Sequence, residues 1–71
     1  MQKMTLKILR VSNGLNQKEA AKLVGVSADT WGHWERCQTE PSISMAYRIA
    51  TTFNTNLDDI IFLPKVAVLP Q

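Results

Sequence analysis

The chain has 71 residues, 45% of them hydrophobic and 20% charged, with a formal net charge of +2. These values describe one folded domain near the lower limit for a self-sufficient core, with no room for a separate catalytic or ligand-binding domain. A single cysteine, Cys37, excludes an intrachain disulfide and a cysteine-rich zinc site, and the mild basicity permits a nucleic-acid partner without requiring one.

The N-terminus carries no apolar signal core, and no apolar run approaches the ~18 residues of a membrane helix. The expectation is a cytoplasmic protein with no membrane partner.

Residues from about Lys3 to Val11 predict a first helix. Met4, Ile8 and Val11 share one apolar stripe, Leu6 and Leu9 form an adjacent one, and together they predict a wide buried face. Lys3, Lys7 and Arg10 lie on the other side, and Asn13-Gly14 is a helix stop. Asn16 then caps a second helix, Gln17 to Val24. Glu19 stands where a capping-box acid reaches back, and Leu15 is placed as a staple residue. Ala20, Leu23 and Val24 predict its inner face, and Ala21 allows another helix to approach closely. Lys18 and Lys22 lie opposite.

Gly25 sits at a tight turn where positive φ is needed. Val26 follows, and Ser27 caps a third helix through about Arg36. Trp31 and Trp34 continue the buried side, Trp34 less completely. Gly32, inside this helix, costs about 1 kcal/mol relative to alanine. Close approach of another surface would explain it. Cys37 to Pro41 is a polar connector. Ser42 caps a fourth helix, Ile43 to Phe53, with Ile43, Ala46, Ile49, Ala50 and Phe53 as its apolar set, Tyr47 alongside, and Asn54 as its stop. Asn56 caps a short fifth helix with Leu57, Ile60 and Ile61 inward and Asp58 and Asp59 at its N-terminal dipole. The tail, 63–71, is bracketed by Pro64 and Pro70, and Val66 and Val68 alternate as in a short strand. It reads either as a loose cover for the core or as a dimer arm. The predicted architecture is a single all-α, five-helix domain over 1–71, with a core at about 4–62 and a short C-terminal tail.

Catalysis finds little support. His33 is the only histidine, Cys37 has no evident activating partner, and there is no phosphate-binding glycine loop, metal cluster or cofactor motif. Asp58-Asp59 reads as first-turn helix charge. The second and third helices make a helix-turn-helix instead, a unit that presents its second helix to the major groove of DNA.

The outward side of that helix carries Ser27, Ala28, Asp29, Gly32, His33 and Arg36. Ser27 and Thr30 can donate to phosphates, and Ala28 can touch a thymine methyl. Asp29 can accept from a cytosine amino group, and His33 can donate to a purine N7. Asp29 also fits a plain helix-dipole acid. Gln17, with Arg10, Lys18 and Arg36 as the nearest cations, would anchor phosphates. Lys3, Lys7 and Lys22 read as solvated surface.

These residues carry a resemblance. Asn16-Gln17 before Glu19-Ala20-Ala21, then Gly25-Val26-Ser27, Trp34-Glu35-Arg36, Pro41, Ile49-Ala50 and Asn56-Leu57-Asp58-Asp59-Ile60 resemble the lambda-repressor-like, Cro/C1-type (Xre) helix-turn-helix family over roughly Leu6 to Phe62. The resemblance implies a five-helix domain that binds operator DNA as a homodimer. It also implies that Gln17 contacts backbone while Ala28, Asp29 and His33 face base edges. Two departures stand out: Cys37 occupies a position where the family often has glycine, and Gly32 replaces a larger residue. The expected function is a sequence-specific regulator binding double-stranded, palindromic operator DNA, most simply a repressor of phage, plasmid or mobile-element type. An antitoxin that also binds a toxin, or a protein–protein interaction module, are the rival readings.

Overall fold

The computed structural model describes residues 4–62 in the order β1 (Met4–Thr5), α1 (Leu6–Ser12), α2 (Gln17–Val24), α3 (Ala28–Glu35), α4 (Ile43–Thr52), a 3₁₀ turn (Leu57–Asp59) and β2 (Ile60–Ile61). The expectations for Lys3 and for the tail 63–71, the dimer arm included, lie outside the described residues.

All four α-helices start on a short polar side chain that occupies an otherwise unpaired backbone donor. Thr5 Oγ1 accepts from Ile8 N–H at 3.2 Å, Asn16 Oδ1 from Glu19 at 2.7 Å, Ser27 Oγ from Thr30 at 3.1 Å and Ser42 Oγ from Met45 at 3.2 Å. Glu19 Oε1 accepts from Asn16 N–H at 2.9 Å, completing the capping box.

The helices also stop alike. Gly14, Gly25, Cys37 and Asn54 take left-handed φ values of 72°, 94°, 61° and 54°. The next residue then donates back five positions, as Gln38 N–H does to His33 O at 2.9 Å and Thr55 N–H to Ala50 O at 2.9 Å.

Cys37 therefore does in α3 what glycine does in α2, with a β-carbon that disfavours the geometry by about 1–2 kcal/mol. Glycine loses part of that advantage through its greater freedom in the unfolded chain. Cys37→Gly should accordingly raise stability by about 0.5–1 kcal/mol, an increase of several degrees in the melting temperature of a domain this small. A lower urea midpoint for the variant would mean that thiol packing outweighs backbone strain.

Two expectations need correction. The first helix begins at Leu6, because Thr5 takes the cap and the chain before it runs extended. The fifth helix is a single 3₁₀ turn, after which β-branched Ile60 and Ile61 extend and pair in parallel with β1, Met4 opposite Ile60 and Thr5 opposite Ile61. Asn56 precedes that turn without a side-chain cap bond. The described residues are thus mostly helical, with four α-helices and a small strand pair joining Met4–Thr5 to Ile60–Ile61.

The core is Leu6, Leu9, Ala20, Ala21, Val24, Trp31, Trp34, Ile49, Ala50 and Ile60, with Met4, Leu15, Val26, Met45, Phe53, Leu57 and Phe62 packed against it. Trp34 is more deeply buried than its sequence position suggested. Ile8, Val11, Leu23, Ile43 and Tyr47, expected inside or alongside, are exposed. Neighbouring helical residues point about 100° apart, so a short helix turns only one of two adjacent stripes inward. In α1 that stripe is Leu6 and Leu9. In α4 it is Ala46, Ile49 and Ala50.

Candidate nucleic-acid interface

α2 and α3 form the predicted helix-turn-helix. Ala20, Ala21 and Val24 are buried on α2, and Trp31 is fully buried on α3. Alanine at the contact lets the helix axes draw close. Gly25 supplies the left-handed turn, and Arg48 reaches it from α4. Arg48 Nη1 donates to the Val24 carbonyl at 3.3 Å, placing a cation at the C-terminal end of α2.

The orientation of α3 is held by Glu35. Its side chain is only 5% exposed, and its carboxylate accepts four hydrogen bonds. Arg10 donates through Nε to Oε2 at 2.5 Å and through Nη2 to Oε1 at 3.2 Å. Gln17 Nε2 donates to Oε1 at 3.0 Å, and the Trp31 indole N–H donates to Oε2. One carboxylate thereby ties α1, α2 and α3 together. Burial alone raises the Glu35 pKa. Hydrogen bonds from Arg10, Gln17 and Trp31, with the Arg10 charge, outweigh it and hold the carboxyl below its ordinary value.

The structure places the residues predicted for the site in different surroundings. Ser27, Ala28, Asp29, His33 and Arg36 are exposed on or beside α3, and Lys18 is exposed on α2. Ser27 and Thr30 are half committed to capping, their hydroxyls 2.9 Å apart. Gly32 is buried, not open as expected. A β-carbon built there would meet Arg36 Nη1 at 3.2 Å and Gln17 Oε1 at 3.4 Å. Arg10 is turned inward: beyond Glu35, its Nη1 donates to the Leu15 carbonyl at 2.9 Å, and its side chain is 13% exposed.

Glu35 and Arg48, two positioning residues, were missed from the sequence. Trp31 and Glu35 are four apart on one helix, which is a usable local signal. Arg48 acts 24 residues away from Val24, and no local pattern marks such a contact. Among the described residues no group of three or more His, Cys, Asp or Glu side chains is placed to hold a metal ion, and no helix is long and apolar enough to cross a membrane.

Comparison with known proteins agrees with this geometry. Residues 6–60 match the helix-turn-helix family model. Two uncharacterized HTH-type transcriptional regulators of Archaeoglobus fulgidus are similar to this chain. One is 38% identical over 60 residues, 84% of either chain; the other is 39% identical over 51 residues, 72% of this chain and 73% of the relative. An uncharacterized HTH-type transcriptional regulator of Methanocaldococcus jannaschii is 36% identical over 55 residues, 78% of this chain and 83% of its own. With the capped α2–Gly25–α3 unit, its buried faces and this match in place, the chain belongs to the Cro/C1-type helix-turn-helix family.

Proposed function

We propose that this protein is a sequence-specific, double-stranded-DNA-binding transcriptional regulator, a repressor of phage, plasmid or mobile-element type, that inserts residues 27–36 into the major groove. The observation that carries this reading is the outward face of α3, where Ala28, Asp29 and His33 are exposed on the second helix of a helix-turn-helix. The relatives, whose names describe them as HTH-type transcriptional regulators, support the regulatory part.

Ala28 meets a thymine methyl, Asp29 a cytosine amino group and His33 a purine N7. Ser27, Thr30, Gln17, Lys18 and Arg36 bind phosphates. Arg10 acts one step back, by holding Glu35. One module of this kind covers about 600–1,000 Å² of protein surface, too little for tight specific binding. A homodimer on half-sites about 34 Å apart is the expected arrangement.

Selection of bound sequences from a random duplex pool, with affinity repeated at several salt concentrations, tests the reading. A palindromic consensus supports it. Absence of both enrichment and salt dependence sinks it. Asp29→Ala should lose discrimination at one base pair, by about 1–3 kcal/mol, while non-specific affinity holds or rises because a carboxylate near phosphates is gone. Unchanged specificity would leave Asp29 as a helix-terminus charge.

One observation favours a protein partner as well. Ile43 is 73% exposed and Tyr47, one turn along α4, is 58% exposed. A second protein that co-purifies in fixed ratio with the chain from its own cells would indicate an antitoxin. A protein-only module would bind no duplex even at low salt.

A further inference from the structure

Gly32 lies in the middle of α3, where glycine is a poor helix former, and it is buried although its helix face looks outward. The groups over it are polar. A β-carbon at this position would stand 3.2 Å from Arg36 Nη1 and 3.6 Å from Nη2, so the guanidinium of Arg36 lies back across the helix one turn before its own position. Long helical side chains lean toward the N-terminus in this way, and a bare glycine lets the planar head settle onto the backbone. Arg36 Nε also donates to Gln38 Oε1 at 3.3 Å, which steadies the fork.

The other neighbour is Gln17, whose Oε1 would be 3.4 Å from the same β-carbon. Its Nε2 donates to Glu35 Oε1 at 3.0 Å, so the amide has a fixed orientation and keeps a second N–H. The seam between the start of α2 and the middle of α3 therefore brings together a guanidinium and an oriented amide. The nearby carboxylate, Glu35, is covered and paired with Arg10, so it does not oppose an incoming anion.

We propose that Gly32 is a positioning residue for the DNA backbone: by lacking a side chain it seats the Arg36 guanidinium beside Gln17, and the two side chains together hold one phosphate. This rests on the DNA-binding function proposed above and adds the device that makes the anchor. Guanidinium supplies the charge and a two-pronged donor, and the Gln17 amide supplies direction. A β-carbon at position 32 forces the Arg36 guanidinium to give by a few tenths of an ångström, which spoils its seat beside Gln17. The clash is with the far end of a flexible side chain, so the fold itself tolerates the change.

The test compares wild type, Gly32→Ala, Arg36→Gln and the double variant. Each is titrated with the selected duplex and with a random-sequence duplex of equal length at several salt concentrations. Gly32→Ala should keep or raise helix content and thermal midpoint, while its salt slope becomes shallower by up to about 0.9 per bound chain, the value for complete loss of the contact. Between 50 and 200 mM salt the wild type then loses up to roughly 3.5-fold more affinity per chain than the variant. Arg36→Gln should give the same change on both duplexes, and the double variant should add nothing.

An unchanged slope in Gly32→Ala, or a shift in base preference in its place, overturns the proposal, because Gly32 would then be making room for a base. Should Gly32→Ala fail to fold, an unchanged slope in Arg36→Gln overturns it equally. A wild type with no salt-dependent binding overturns the functional reading beneath it, whereas a steep wild-type slope that Gly32→Ala leaves intact removes this inference alone.

Discussion

Glu35→Ala should leave little of the protein folded at 25 °C. The substitution removes a carboxylate whose partners stay behind: a guanidinium from α1 with its side chain 13% exposed, the Gln17 amide and the Trp31 indole N–H. Removing one member of a buried ion pair costs about 3–5 kcal/mol, because the other charge is left without compensation, and this part-buried pair should fall at the lower end. A domain below about 70–80 residues has a total stability of about 3–5 kcal/mol from its core, so the loss is comparable with the whole. Urea denaturation followed by circular dichroism measures it, and a loss under about 1 kcal/mol would show that Arg10 finds water or another partner at no great cost. Arg10→Met combined with Glu35→Leu should recover part of the loss, since no charge is then stranded. It should not recover all of it, because Gln17 and Trp31 still lack their acceptor.

The same group sets an acid limit. The folded Glu35 carboxyl ionises below its unfolded value. Its contribution is therefore fully present above the unfolded value, about 4.3, and is lost as pH falls below that and through the folded value. Wild type should lose stability across this acid window, and the Arg10→Met, Glu35→Leu variant should lose less. Parallel acid profiles for the two would remove Glu35 from the cause.

Trp31→Ala is the second large effect. Trp31 is the largest fully buried side chain, with ring centroids 5.9 Å from Trp34 and 6.1 Å from Phe53. Truncating a buried tryptophan costs about 3–5 kcal/mol through lost transfer energy and the cavity left behind. Here the indole N–H to Glu35 is lost too, so the outcome is an unfolded or molten chain with no near-ultraviolet dichroism and no DNA binding. Trp31→Phe keeps most of the ring and drops the N–H, so it should fold with reduced stability. Its effect should be smaller in the Arg10→Met, Glu35→Leu background, which already lacks the acceptor for the indole N–H. Simple additivity would indicate that the indole contributes volume alone.

These expectations link the scaffold to the site. Ala28, Asp29 and His33 are exposed on α3 and take no part in the core, so changes there should leave folding nearly untouched and, on the proposed function, act on DNA binding alone. Glu35 and Trp31 behave in the opposite way: they fix where α3 points relative to α2, and their loss removes the face altogether.

The sequence by itself determined the starts of α2, α3 and α4, the stops of α1, α2 and α4, and the family. Caps at Asn16, Ser27 and Ser42 act on donors three residues on, and the stops at Gly14, Gly25 and Asn54 act within one turn, so each is readable in a short window. It also marked Trp31 as core, because tryptophan on an apolar stripe has few other places to go. Only the tertiary structure decided which of two adjacent apolar stripes faces inward in α1, leaving Ile8 and Val11 outside. It alone turned Arg10 from a candidate phosphate anchor into the partner of Glu35, 25 residues away, and set Arg48 against Val24. It alone converted the end of the predicted fifth helix into a strand paired with Met4–Thr5, and covered Gly32 with Arg36 and Gln17. The physical reason is range. Capping and periodicity are local interactions written in neighbouring residues, while charge pairing, strand pairing and close approach depend on which distant segments the packed helices bring together.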